Sequence, residues 1–403
     1  MTQLLLAMFL AFGPAFAQDE EEDDLSENTI TQQAGGGTLD GASQDALEAF
    51  LNRPYESKSY IAAEALKSDV KMIEECRKAV EAVYLRDYKG AKKQFDAVAE
   101  AWPTTGMGPL GRALLYQALM FENFDFRYEK QYKSAFDDTK RQLEKGRAAA
   151  GDEALESFVL AALLGMDAIH FMRKGEFLAA INRGVEATKA LETTKKLAPT
   201  FADAALGDGL YLYWRSAITR NSKVLPDFPD KRQEGLELMK KAEREAAFLG
   251  PGATLALAYS WIEERDLRRA LDRSLQIRLA YPDNIINNMT LGRIYTSMRR
   301  YDDALRMYDE VLADEKDHQR SHYHRGIVLA RLGRYPEAQK AYETYLGFKD
   351  LTKDARGQTY YRLGALHVRQ KQADKAEAYF KQAVATNGNE AAKRALERLK
   401  QKP

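Results

Sequence analysis

Three histidines lie close together in the segment DHQRSHYH, residues 317–324, and their spacing suggests metal chemistry. His318 and His322 are four residues apart, a separation that can place two imidazole ligands on one face of a helix. However, His318 falls in a predicted turn, and His324 lies on another side of the helix that follows. We therefore predict no metal site and no cofactor, and we expect three solvated or groove-lining histidines.

The motifs of common enzyme classes are absent from the sequence. It has no phosphate-binding loop of the G-x-x-x-x-G-K type, no G-x-S-x-G and no H-E-x-x-H. The GDG at 207–209 lies inside a helical pattern without a preceding strand, which indicates a close contact between helices. Cys76 is the single cysteine, so an intramolecular disulfide is excluded, and we expect a buried thiol. We predict that the chain is not an enzyme.

The elements that position these residues follow from a repeated phrase. RYDDALRMYDEV at 300–311 returns as RYPEAQKAYETY at 334–345, and the interval is 34 residues. The same interval separates Gly292 from Gly326, Ala304 from Ala338 and Tyr308 from Tyr342. Small residues let two helices approach, and the aromatic residue fills the space toward the next unit, so the period predicts stacked helix pairs.

This pattern resembles the tetratricopeptide repeat family. Four units fit it, at residues 251–284, 285–318, 319–352 and 357–390, with a four-residue insertion before the last. The resemblance implies an all-α fold, an α-solenoid that winds as a right-handed superhelix of antiparallel helix pairs. Residues 391–403 are typical of the polar C-terminal capping helix that such arrays need.

The family pattern weakens toward the N-terminus. Residues 72–105 still fit, with Ala91, Phe95 and Pro103 in the expected places. Between residues 106 and 250 the helical stretches are longer than the pattern allows. We interpret residues 44–250 as divergent helical repeats of the same type, with LPDFPD at 225–230 as a loop between two helices.

The first 17 residues indicate export. MTQLLLAMFLAFGPAFA has an apolar core, a Gly-Pro break and small residues before a cleavage point after Ala17, although it has no Lys or Arg. Residues 18–43 have almost no large apolar side chains and predict an acidic disordered linker. We expect a periplasmic or secreted protein of the bacterial cell envelope with no integral membrane segment after signal cleavage.

The net charge of zero hides an asymmetry. Nine acidic residues and no Lys or Arg lie within residues 18–45, so residues 46–403 hold 60 basic and 51 acidic residues. We state as a hypothesis that the acidic arm folds back and occupies a basic groove until a partner displaces it. Zero overall charge and export disfavour nucleic acid as a partner.

The family resemblance also implies a partner site. In this family the concave groove is lined by the first helix of each unit, and carrying its second, fifth, ninth, twelfth and thirteenth positions over gives the candidate groove residues. They are Tyr259, Met289, Arg293, Arg320, Tyr323, Arg331, Tyr361 and Arg369. Arginine suits carboxylates and tyrosine offers a flat apolar face, which favours a protein segment with acids and apolar anchors.

Two other interpretations of this surface stay open. The arginines could simply solubilise the inner face or pair with neighbouring glutamates. The chaperone-binding members of the family use a fixed Lys and Asn set, whose slots hold Leu255, Tyr259, Arg293 and His324 here. We therefore do not predict chaperone binding.

The sequence thus favours a non-enzymatic protein–protein interaction scaffold of the cell envelope. The alternative is a dedicated accessory subunit of an envelope assembly, export or motility complex, with one obligate partner. A third alternative, from another class, is an enzyme whose site lies within residues 106–250, where Trp214 and His170 could line a pocket.

Overall fold

The computed structural model describes residues 55–149, 151–220 and 229–401, and all regular elements in these ranges are α-helices. The predicted signal segment 1–17, the acidic linker 18–43 and residues 225–228 of the Pro-rich loop lie outside the described residues. The helices are α1 (Tyr55–Ala65), α2 (Val70–Tyr84), α3 (Tyr88–Ala101), α4 (Met107–Asn123), α5 (Glu129–Ala148), α6 (Glu153–Arg173), α7 (Phe177–Leu197), α8 (Ala204–Thr219), α9 (Arg232–Glu245), α10 (Gly250–Glu263), α11 (Leu267–Ala280), α12 (Ile285–Ser297), α13 (Tyr301–Asp314), α14 (Gln319–Arg331), α15 (Tyr335–Leu346), α16 (Lys353–Arg369), α17 (Ala373–Asn387) and α18 (Glu390–Gln401).

The chain divides into two compact units, residues 1–284 and residues 285–403. Unit one contains α1–α11 and unit two contains α12–α18. Within each unit every described helix packs on the next one along the chain, and several pack on the next but one, such as α4 on α6 or α14 on α16. This successive stacking of helices is the α-solenoid arrangement that the repeat pattern predicted.

The 34-residue period is visible in the backbone at the turn between the two helices of a pair. Arg265, Arg299, Gly333 and Lys371 have φ angles of 58°, 59°, 74° and 60°, in the left-handed region. The first two intervals are 34 residues and the last is 38, because α16 has 17 residues where α12 and α14 have 13. The predicted four-residue insertion therefore lengthens the first helix of the last pair.

A glycine–aromatic contact holds each helix pair of unit two together. A Cβ atom added at Gly326 would lie 2.6 Å from the ring of Tyr342, and one added at Gly292 would lie 2.5 Å from Tyr308. Gly364 has the same relation to Phe380, at 2.5 Å. The rings occupy the space that a side chain would need, so the two helices approach more closely than two side-chain-bearing surfaces allow.

Unit one uses the same device with longer helices. Gly111 of α4 lies against the ring of Phe95, which is 1% exposed. A Cβ at Gly209 would lie 2.8 Å from the carbonyl oxygen of Gly235, so the GDG segment does form the predicted close helix contact between α8 and α9. Cys76 is buried as predicted, and burial raises the pKa of its thiol to about 12.

One helix of unit one is long and apolar enough, by length and composition, to cross a membrane. It is α6, Glu153–Arg173, and 61% of its most apolar window is buried against other helices. Burial of this extent is also what the core helix of a helical unit requires. The sequence predicts no integral membrane segment after signal cleavage, because no later stretch has eighteen uninterrupted apolar residues.

A buried aspartate fixes the connection between α9 and α10. The Asp203 carboxylate, 2% exposed, accepts hydrogen bonds from the backbone N–H groups of Ala247, Phe248 and Leu249 at 2.8–2.9 Å. Burial raises the pKa of Asp203, although these three donors act in the opposite direction. The Asp203 carboxylate is thus the acceptor for the backbone N–H groups of the turn between the two helices.

We expect Asp203→Ala to lower the free energy of unfolding by about 2–4 kcal/mol, because several buried N–H groups lose their acceptor. Asp208→Ala is the matched control on the same helix. Asp208 is partly exposed and pairs with Lys195, so its loss should cost no more than about 1 kcal/mol. Urea unfolding measures both values, and equal effects would contradict this role of Asp203.

We expect Gly326→Ala to lower the free energy of unfolding by about 1–3 kcal/mol, because the new methyl group overlaps the Tyr342 ring. In a Tyr342→Leu background the same substitution should cost much less, since the ring is gone. Gly165→Ala is the control: Gly165 lies within α6 with no atom within 4 Å of the added Cβ. This change should be neutral or stabilising by about 1 kcal/mol. If Gly326→Ala lowered the free energy of unfolding as much in the Tyr342→Leu background as in wild type, the contact would be refuted.

Candidate functional site

The first helices of the three pairs in unit two, α12, α14 and α16, carry most of the predicted groove residues. Two contacts show how they are held. The Ser321 hydroxyl of α14 donates to the Met289 sulfur of α12 at 3.1 Å, and α14 also packs directly on α16. Side chains of three consecutive first helices therefore form one surface of unit two.

His324 lies at the centre of this surface. Its ring stacks on Tyr308 of α13, with centroids 5.6 Å apart and an angle of 19° between the rings. On its other side Tyr323 meets it edge-on at 5.4 Å. Burial, and after it the positive charges of Arg320 and Arg293, hold the pKa of His324 well below its ordinary value. The imidazole is therefore neutral at pH 7.

The positive charges of three arginines act on this neutral imidazole. Arg293 comes from α12, Arg320 from α14 and Arg362 from α16, and all three act on His324 to lower its pKa. We call Arg293, Arg320 and Arg362 the arginine cluster. Arg362 is 5% exposed, whereas Arg293 and Arg320 are half-buried. Each first helix thus contributes one guanidinium whose charge acts on His324, and burial weakens the screening of these charges by water.

Tyr323, Tyr342 and Tyr345, which we call the aromatic wall, lie beside the arginine cluster. Tyr323 contacts Tyr345 at 5.2 Å and Tyr342 at 6.1 Å, measured between ring centroids. Burial raises the pKa of Tyr345, while Arg320 and Arg356 act in the opposite direction. Arg356 is held in place by donating to the carbonyl oxygens of Leu346 and Phe348. Positive charge and apolar surface are therefore adjacent.

Seven of the eight predicted groove residues divide into three groups. Met289, Arg293, Arg320 and Tyr323 lie together as described above. Arg331 and Arg369 lie at the C-terminal ends of α14 and α16. Arg331 is seven residues beyond His324, and Arg369 is seven residues beyond Arg362, a distance of about 10 Å along the helix axis in each case. Tyr259 lies on α10 in unit one.

Tyr361 differs from the expectation for a groove residue. It is 8% exposed and packs in the core beside Phe380, with ring centroids 5.8 Å apart. The adjacent residue Arg362 belongs to the cluster instead. Successive helical residues point about 100° apart, so the helix face turned toward the cluster at this point lies one residue further along than the resemblance implied.

Sequence reasoning missed Arg362 and gave His324 no central role. Both occupy the sixth position of their repeats, in the units beginning at 319 and 357. The family positions that were carried over do not include the sixth. The signal that could have found them is their shared repeat position. Arg362 follows His324 by 38 residues, which is the 34-residue period plus the four-residue insertion.

The three clustered histidines have separate structural roles. His318 was expected to be solvated or to line the groove, but it is fully buried: it is the N-cap of α14, where its Nδ1 atom accepts from the backbone N–H of Ser321. The Nε2 atom of His322 lies 2.9 Å from the carbonyl oxygen of Lys316. Among the described residues, no group of three His, Cys, Asp or Glu side chains has the arrangement of a metal site.

The residues that could have served an enzyme in unit one are packed between helices. Trp214 is 3% exposed and meets Tyr213 edge-on at 5.0 Å. His170 is 1% exposed, with its Nε2 atom 3.2 Å from Glu129. Hydrogen bonds from Lys174 and Lys133 lower the pKa of Glu129 to about 2. This network joins α5 to α6 and the turn after it, which is a structural task.

A small cavity in unit one is too small for an organic substrate. It measures about 20 Å³ and is lined by residues that include Arg77, Tyr84 and Glu243. A volume of this size holds about one water molecule.

Comparison with known proteins relates unit two to a repeat family. Models of the tetratricopeptide repeat match residues 289–355 and residues 357–398. Both ranges lie within unit two and include all three members of the arginine cluster. No curated protein matches the sequence.

Similar solved structures include two bacterial proteins and one yeast domain. The structure reported for Pseudomonas aeruginosa pilF is 13% identical, over 59% of this chain and 97% of that one, with a TM-score of 0.42. A tetratricopeptide repeat protein from Parabacteroides merdae is 15% identical, over 71% and 99%, with a TM-score of 0.39. The TPR2AB domain of yeast Sti1 in complex with pHSP90 is 15% identical, over 82% and 98%, with a TM-score of 0.23. These identities and scores carry no argument about function.

We expect Arg320→Gln to raise the pKa of His324, because Arg320 contributes the largest charge repulsion against the imidazolium. The measurement is an NMR pH titration of the histidine ring protons. Arg306→Gln is the control, since Arg306 is 60% exposed on α13 and pairs with Asp303. An unchanged His324 pKa in the Arg320 variant would show that the two side chains are not coupled.

Proposed function

We propose that the chain binds an acidic segment of a partner protein at the arginine cluster of unit two, where models of the tetratricopeptide repeat match residues 289–355 and 357–398. The repeats form a protein–protein interaction scaffold, and this type of fold is typically a non-catalytic interaction module. The observations that carry the finer proposal are the edge-on contact of Tyr323 with the His324 ring and the positive charges of Arg293, Arg320 and Arg362, one from each first helix, which lower the pKa of His324.

The chemistry of the cluster favours carboxylates. A guanidinium offers donors in a planar fork that fits the two oxygens of Asp or Glu. Arg293 and Arg320 are half-buried, where a charge-assisted hydrogen bond is stronger than on a fully hydrated surface. A neutral His324 leaves the arginines as the source of positive charge at pH 7 and offers a ring nitrogen to a polar group of the partner.

The aromatic wall favours an apolar side chain next to the acids. Tyr323 is partly exposed, and its ring is fixed by contacts with His324, Tyr342 and Tyr345. A tyrosine held in one orientation loses little conformational freedom when a partner packs on it. The partner segment therefore carries a run of acids with an apolar residue close by.

The scaffold role also explains why the surface is preformed. The glycine–aromatic contacts fix the two helices of each pair against each other, so binding requires little ordering of unit two. We place this activity in the bacterial cell envelope, because residues 1–17 have the pattern of an export signal. The partner would then be another exported protein or the exposed part of an envelope complex.

The test uses the full chain with neutral residues at 19–24, so that the chain's own acids do not compete. The probe is a labelled peptide with several Glu and two Leu residues, and the control probe has Gln in place of every Glu. We expect Arg293→Gln and Arg320→Gln each to weaken binding of the Glu peptide by about fivefold or more, because each removes a charge-assisted contact. Fluorescence anisotropy measures the affinity.

Arg306→Gln and Arg334→Gln are the matched controls, since both arginines are exposed and pair with acids of their own helices. They should change the affinity by less than about twofold. Equal effects of the two pairs of substitutions, or equal binding of the Glu and Gln peptides, would refute the proposed site. Circular dichroism establishes that each variant is folded.

A further inference from the structure

Three successive turns of unit one lie side by side. Residues 85–89, 124–130 and 173–178 contain the turns from α2 to α3, from α4 to α5 and from α6 to α7, and we call these three segments the turn edge. The first helices of the three pairs pack on one another in order, α2 on α4 and α4 on α6.

Hydrogen bonds connect each turn to the next. Arg86 donates from its Nε atom to the carboxylate of Glu122, in the last turn of α4, at 2.9 Å. Arg173, at the end of α6, donates from its Nη2 atom to the carbonyl oxygens of Met120 and Asp125 at 2.9 and 2.8 Å. The C-terminal ends of the three first helices are therefore held next to each other, and the turn edge is continuous.

Each of the three turns exposes one large apolar side chain. The exposed fractions are 52% for Leu85, 41% for Phe124 and 75% for Leu178. Within the described part of unit two, residues 285–401, no large apolar side chain is exposed to a comparable extent, although that unit has turns of the same kind. The apolar row is thus a feature of unit one and not of helix-pair turns in general.

Phe124 is held in a conformation that bulky residues seldom adopt. Its φ angle is 56°, in the left-handed region. The Arg173 guanidinium lies 4.5 Å from the ring centroid of Phe121 and 4.9 Å from those of Phe124 and Phe126. Strained positions persist only where surrounding contacts fix them, and they are frequent at functional sites. The partly exposed Phe124 ring is therefore presented to solvent in a fixed position.

The charges and the spacing of the turn edge suit an anionic lipid surface. Its three segments hold six basic and four acidic residues, and the side chains of Lys89 and Lys130 are exposed. The apolar side chains are carried by turns about 10 Å apart, the separation of neighbouring helices. A lipid headgroup layer adapts to separate apolar side chains with cations between them, whereas a protein partner needs a shaped pocket for each one.

We propose that the turn edge of unit one is a membrane-contact surface, which places Leu85, Phe124 and Leu178 among the headgroups of an anionic bilayer. The proposal is independent of the arginine cluster and goes beyond protein binding, since it brings the scaffold to a membrane. Three apolar side chains and a few cations give weak, reversible attachment.

The test is co-sedimentation of the full chain with vesicles of phosphatidylglycerol mixed with phosphatidylcholine, and with vesicles of phosphatidylcholine alone. We expect Leu85→Ser and Leu178→Ser each to lower the partition coefficient by about threefold or more, because each removes an inserted apolar side chain. Lys89→Gln and Lys130→Gln should each lower it by about threefold for the anionic vesicles alone. All variants carry the same N-terminal segment, so differences between them report on the turn edge.

Leu197→Ser is the matched control. Leu197 lies on the same helix as Leu178 and is 42% exposed, but it is at the opposite end of α7, about 28 Å away. Its substitution should change the partition coefficient by less than about twofold. A second measurement labels Leu178→Cys or Leu197→Cys with an environment-sensitive dye, since Cys76 is buried. The emission should shift to the blue on anionic vesicles only for the label at residue 178.

Several outcomes would overturn the proposal. One is an equal effect of Leu178→Ser and Leu197→Ser, and another is an equal spectral shift at the two labelled positions. A wild-type chain that stays in solution with both kinds of vesicle also contradicts it. If that chain self-associates in sedimentation velocity and Leu178→Ser abolishes the association, the turn edge is an interface between copies of the chain instead. Circular dichroism establishes that each variant is folded.

Discussion

The close contact between a glycine of one helix and an aromatic ring of the next is the constraint on which unit two depends. Gly326 and Tyr342 illustrate it: the ring lies where a Cβ atom would stand, so the two helices cannot separate without opening a cavity or approach further without a clash. The same contact recurs at Gly292 and Gly364. The contact fixes the second helix of each pair against the first, and Tyr308 of one second helix in turn stacks on His324 of the next first helix.

The neutral state of His324 keeps a further positive charge away from Arg293, Arg320 and Arg362. The stack of His324 on Tyr308 links this electrostatic feature to the packing, since Tyr308 is also the ring that lies against Gly292. A single aromatic residue thus serves the fold on one side and the candidate site on the other.

The sequence was sufficient to predict the all-α repeat fold, because the 34-residue period determines the packing residues directly. Gly326, Ala338 and Tyr342 can be identified from spacing alone, and so can the four-residue insertion that lengthens α16. Arg293 and Arg320 could also be predicted as surface residues. Tyr361 and Arg362 show the limit: a shift of one residue turns the side chain by about 100°, and spacing alone does not fix the rotation of α16 against its neighbours. His318 shows a second limit, because the sequence does not distinguish a buried N-cap histidine from a solvated one.

The central claim is that carboxylates of a bound segment lie next to His324. It is tested most directly by an NMR titration of the histidine ring protons with the Glu and Leu peptide, followed by a pH titration of the complex. Bound carboxylates stabilise the imidazolium, so the account predicts that the signals of His324 move on binding and that its pKa rises in the complex. The signals of His170, which is buried in unit one, should stay in place. Peptide binding with an unchanged His324 pKa would contradict the account and place the partner surface elsewhere on the chain.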